Sequence, residues 1–88
     1  MRTGKLENGF EFAIDEEALD DMELLDAMAE AEAGDALKAS KVILKVLGAE
    51  QRNRLYDHLR TESGRVPVEA TMNALADILN AAGEEGKN

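Results

Sequence analysis

The sequence predicts an all-α fold: a small bundle of about four helices with a short N-terminal β-hairpin or extended arm. Three observations carry this. Phe10, Phe12 and Tyr56 are the only aromatic residues, so the core must be assembled from Leu, Ile, Val, Met and Ala, a helix palette. Apolar residues recur at helical spacing from Ala18 onward, between Asp, Gly and Pro punctuation marks. Strand-like alternation is confined to Phe10, Phe12 and Ile14, directly after Asn8-Gly9, a strong hairpin-turn signal. A chain of 88 residues is one domain, 1–88, with room for one small core. It divides into an arm or hairpin at 1–14, a helical core at 15–83 and a frayed tail at 84–88.

The arm is read first. A two-residue Asn8-Gly9 loop would set Leu6 opposite Glu11, on the wrong side of the alternation, so the strand after the turn is the better defined. Two strands are marginal alone, and the arm must lean on the helices. Helix one starts after Asp15, an N-cap, with Glu16 and Glu17 in the first turn where the helix dipole favours them. Ala18, Met22, Leu25 and Ala29 form one apolar row, and Leu24, Met28 and Ala31 a second beside it. Gly34 is the expected stop.

Helix two runs from Ala36 to Leu47, capped by Asp35 and ended by Gly48. Its Val42, Ile43, Leu44, Val46 and Leu47 point nearly all round, the mark of a central helix. Lys38, Lys41 and Lys45 share a face that can answer the acids of helix one. Helix three covers Glu50 to Thr61 and is thinly apolar, with Leu55, Tyr56 and Leu59. Ser63-Gly64 ends it, and Pro67 opens helix four. Helix four carries Val68, Met72, Leu75 and Leu79 as a stripe, with Ile78 beside it, up to Gly83.

The net charge of −9 is concentrated at one end. Twelve acidic residues precede Ala36 against only Arg2 and Lys5; from Ala36 on, seven acidic residues meet eight basic ones. This balance argues against nucleic-acid binding. There is no cysteine, hence no disulfide or thiolate chemistry. No apolar run approaches a membrane span and no leader pattern is visible, so no membrane partner and a cytoplasmic location are expected.

Chemistry-bearing constellations are sparse. The carboxylates from Asp15 to Asp26 fall on a helix rather than in a cation-binding loop, and a solvated helix face accounts for them. His58 is isolated, with no Ser or Cys in a nucleophile setting. No phosphate-binding Gly-rich loop or acyl-carrier serine motif occurs. No catalytic, cofactor-binding or metal-binding residue is therefore assigned, and no enzyme is expected. The methionines at 22, 28 and 72 supply soft apolar surface of the kind used by adaptable binding proteins.

Two segments, FEFAIDEEALDDMELLDAMAE and KVILKVLGAEQRNRLYDHLRTESGRVPVEA, resemble the tail assembly chaperones of long-tailed siphophages and related prophages of Gram-positive bacteria. The resemblance spans about residues 10 to 82. The FEF-ID-ALDD-ELL opening, the LG-EQ---LYDHLR block and GRVPVEA are its most specific parts. It implies a non-enzymatic protein of the host bacterial cytoplasm, absent from the mature virion. Such a protein binds the long, helical tape measure protein and keeps it soluble during tail assembly. The major tail protein and self-association are further partner candidates. Many members also have a longer frameshifted form, and Lys87-Asn88 could be encoded at the slippery run. The family has no catalytic motif to carry over. For partner contacts the residue pattern nominates Tyr56, Leu59, Met72, Leu75 and Leu79. The rival reading is an acidic inhibitor or nucleic-acid mimic that acts on a basic host protein through Asp15, Asp20, Asp21, Glu23 and Asp26.

Overall fold

A computed structural model describes residues 2–85. It is mostly helical, with four helices behind an N-terminal antiparallel hairpin. The order is β1 (Arg2–Lys5), β2 (Glu11–Ile14), α1 (Glu16–Leu19), α2 (Met22–Glu32), α3 (Ala36–Leu59) and α4 (Val68–Glu85).

The hairpin loop is one residue longer than the Asn-Gly signal suggests. The register sets Arg2 opposite Ile14 and Lys5 opposite Glu11, and the Leu6 N–H donates to the Phe10 carbonyl at 2.9 Å. Glu7, Asn8 and Gly9 therefore form a three-residue loop, with Gly9 at φ 92° and the Asn8 side chain accepting from the Phe10 N–H. One extra loop residue reverses the parity. Leu6 moves to the inner face beside Phe10, Phe12 and Ile14, and all four are buried.

Helix one is also corrected. It breaks at Asp20-Asp21 into α1 and α2, because Asp21 turns its carboxylate back to cap the Glu23 and Leu24 N–H groups. Asp15 caps α1 as read from the sequence. The inward row of α2 is the second one: Leu24 and Ala31 are buried and Met28 packs against the core. Met22 and Leu25 of the first row face solvent.

Helices two and three are the two arms of α3, on either side of Gly48, whose φ 80°, ψ 165° lies in a region reserved for glycine. Val42, Ile43, Val46 and Leu47 of the first arm are buried and Leu44 is exposed, so that arm is apolar on three sides rather than all round. Lys38 and Lys45 pair with Glu30 at 3.4 Å and Asp21 at 3.5 Å, which aligns the arm antiparallel to α2. In the second arm only Leu55 is fully buried. Gly48→Ala should cost about 1–3 kcal/mol of stability, read as a lowered urea midpoint.

Asp21 gives a pH-dependent test. Burial by itself would raise its pKa. The Leu24 and Glu23 N–H groups and the Lys45 ammonium outweigh that and hold the carboxyl below its ordinary value of 3.8. A depressed carboxyl stabilises the fold above its ordinary value, and this contribution is lost as pH falls through the folded value. Asp21→Asn keeps a good cap but loses the charge. Its urea midpoint should fall below wild type at neutral pH, and the gap should close as pH drops below 3.8.

The second arm of α3 seals the free edge of β2. The Gln51 side-chain amide accepts from the Ala13 N–H at 2.7 Å and donates to the Ala13 carbonyl at 2.7 Å. It also donates to the Leu47 carbonyl, at the end of the first arm, at 2.8 Å. Arg54 reaches the Glu11 carbonyl and lies over the Phe10 ring, 5.4 Å from its centroid. The His58 Nε2 meets the Asn8 carbonyl at 2.8 Å. Residues 51, 54 and 58 form one helical face running along the strand, which gives the LG-EQ---LYDHLR block a structural purpose.

Pro67 precedes α4, and its carbonyl accepts from both the N–H and the hydroxyl of Thr71. The core side of α4 is Thr71, Ala74, Leu75, Ile78 and Ala82. The predicted stripe is rotated from it, with Val68 exposed and Met72 and Leu79 half-buried. Gly83 does not stop the helix, which continues to Glu85. Thus 84 and 85 are helical rather than frayed, and the rest of the expected tail, with Lys87-Asn88, lies outside the described residues. Arg2 ties the hairpin to this end of α4 by donating to the Ala82 carbonyl at 2.7 Å.

Candidate functional site

Rotation of the α4 stripe away from the core creates two adjoining grooves. The first, about 340 Å³, lies between the first turn of α3, the second arm of α3 and the start of α4. Its floor includes Ile43 and Ala39, its walls Tyr56 and Met72, and its rim Leu37 and Val68. Leu37 is 81% exposed and Val68 60%, so the apolar surface of the groove continues from its floor onto its rim. The second groove, about 410 Å³, runs between α2 and α4 over the first arm of α3, with Met28, Val42, Leu75 and Leu79 among its lining. Met72 and Ala39 line both grooves, so the thioether of Met72 is the partition between them.

Of the five residues nominated from the sequence, Tyr56 and Met72 stand in the first groove, and Met72, Leu75 and Leu79 in the second. Leu75 is 4% exposed and belongs to the core as well as the groove floor. Leu59 packs half-buried against the core and lines neither groove. Arg52 lies over the Tyr56 ring, 6.0 Å from its centroid. Leu37 escaped the sequence reading. Its signal was a leucine on the lysine-bearing face of α3, with no apolar neighbour at helical spacing before Leu44.

His58 borders an open depression with Phe10, Arg54 and Asp57. Its Nε2 is engaged by the Asn8 carbonyl, and no hydroxyl or thiol lines the depression. Among the described residues no group of three or more His, Asp or Glu side chains could hold a metal ion, and no helix is long and apolar enough to cross a membrane. The acidic residues of the rival reading are partly committed elsewhere. Asp15 and Asp21 cap helices, and Asp21 also pairs with Lys45. Comparisons with protein-family models, with curated proteins and with solved structures find no match.

Proposed function

We propose that this chain is a non-enzymatic phage tail assembly chaperone that binds helical segments of the tape measure protein and keeps them soluble in the bacterial cytoplasm until the tail tube encloses them. The observation that supports this reading best is the pair of apolar grooves meeting at Met72, with Leu37 and Val68 exposed on the rim. An amphipathic helix docks in such grooves through residues at i, i+3, i+4 and i+7. An adaptable Met partition lets one surface accept many segments of a long partner. The charge of −9 is then conferred on the complex and opposes its aggregation.

Co-expression with the tape measure protein of the same phage should raise that protein's soluble yield. The variant Leu37→Asp plus Met72→Asp should lose the effect while keeping its helical circular dichroism, because neither side chain belongs to the buried core. Loss of two central anchors at roughly 1–2 kcal/mol each weakens binding by about 1.5 to 3 orders of magnitude. Leu75 is a poor probe, since an Asp there would disturb folding as well as binding. Groove binding should also persist at about 0.5 M salt, where the Debye length is about 4 Å. The acidic-inhibitor reading requires binding to a basic host protein that collapses at that salt concentration.

A further inference from the structure

The two edges of the hairpin are treated differently. The Leu6 N–H donates to the Phe10 carbonyl across the register, while the Phe10 N–H turns to the Asn8 side chain, so in the antiparallel register Gly4–Phe12 and Arg2–Ile14 occupy the hydrogen-bonded positions. Odd-numbered residues therefore turn their N–H and C=O groups outward. On β2 three of the four outward groups are taken, the Ala13 N–H and carbonyl by Gln51 and the Glu11 carbonyl by Arg54. On β1 the outward groups belong to Thr3 and Lys5, both exposed, and no described residue bonds to their backbone. The strand has no proline or bulge to close it off.

We infer that the outer edge of β1 is a self-association surface at which two copies of this chain pair antiparallel about Gly4. Thr3 and Lys5 are two residues apart, so a dyad through Gly4 sets Thr3 of one copy opposite Lys5 of the other. Each copy offers two outward N–H and two outward C=O groups, and these pair off as four bonds. The result is a four-stranded sheet in the order β2-β1-β1-β2. Its outer edges are the β2 edges, which Gln51 and Arg54 of α3 cover, so pairing closes at two copies rather than continuing into a fibre.

Charge favours this edge as the meeting place. The acidic stretch before Ala36 has only two basic residues, and both lie on β1. Arg2 is paired with Glu16 at 3.2 Å within its own chain, and Lys5 stands opposite Glu11 in the hairpin register. Two molecules of charge −9 thus meet where their mutual repulsion is least.

Thr3→Pro tests this cleanly. It deletes an outward N–H that the hairpin does not use, and proline is tolerated on an edge strand. The preceding Arg2 is already extended, as proline requires. In sedimentation velocity over a roughly hundredfold range of concentration, wild type should pass from monomer to dimer by mass action, and Thr3→Pro should shift that transition at least tenfold upward in concentration. Hydrogen exchange of wild type gives a second measurement that needs no variant: the Thr3 and Lys5 amides should gain protection as concentration rises. A monomer across the whole range overturns the inference. So does a Thr3→Pro dimer as tight as wild type, or protection of Thr3 and Lys5 that develops only on addition of tape measure protein. None of these outcomes bears on the groove reading, which uses a different surface.

Discussion

Replacing Gln51 by Ala should lower the unfolding free energy by about 2–4 kcal/mol, the sum of three modest net hydrogen bonds and the cost of leaving half-buried partners unmet. The side chain bridges three backbone groups, the Ala13 N–H, the Ala13 carbonyl and the Leu47 carbonyl, at 2.7–2.8 Å. Water can replace some of these bonds, because the contacts are only partly buried. A domain of this length holds a total of roughly 4–13 kcal/mol, so one amide carries a large share. Gln51→Glu separates hydrogen bonding from packing. It keeps the shape and the acceptor for the Ala13 N–H but faces a carboxylate against two carbonyl oxygens. Urea unfolding should place Gln51→Glu near Gln51→Ala rather than near wild type. Both variants should also speed hydrogen exchange at the Ala13 amide.

Truncating Ile14 to Ala should cost about 2–5 kcal/mol, the usual range for a buried aliphatic side chain once cavity and transfer terms are added. Ile14 is fully buried at the end of β2, in the same core cluster as Leu24, Leu55 and Ile78. The size of the loss is less informative than its form. A two-stranded hairpin has little stability of its own, and here Gln51, Arg54, His58 and Arg2 fasten it to the helices. Helix loss, followed by far-ultraviolet circular dichroism, and hairpin loss, followed by exchange at Phe12, should therefore coincide in urea. Helices that persist after the hairpin has opened would show that the hairpin is an appendage.

These two residues also mark what could be read in the sequence. Ile14 was legible because alternation with Phe10 and Phe12 is a local pattern. Helix caps at Asp15 and Asp35 and the break at Gly48 were legible for the same reason, since each acts on neighbours within one turn. Gln51 was not legible. Its partner Ala13 is 38 positions away, and nothing around a Gln in a polar helix tells whether it meets solvent or a strand edge. Leu6 was misplaced by one loop residue, because parity along a strand turns a single-residue miscount into the opposite face. Asp20-Asp21 looked like the interior of one acidic helix. The competition between helical hydrogen bonding and side-chain capping is close at paired aspartates, and the packing of Leu24 inward settled it. The grooves were half legible. The α4 stripe named Met72 and Leu79, but its rotation from the core follows from how α2 and α3 cross, which periodicity does not encode.

The Met72 grooves are proposed to receive apolar helical segments of the tape measure protein. The most direct measurement is an amide chemical-shift titration of the isotope-labelled chain with peptides cut from that protein. Groove binding predicts saturable shifts centred on Leu37, Tyr56, Val68 and Met72, little changed at about 0.5 M salt and absent in Leu37→Asp plus Met72→Asp. Shifts confined to Asp15–Asp26 that vanish at that salt concentration, or no shifts with any segment, would contradict it.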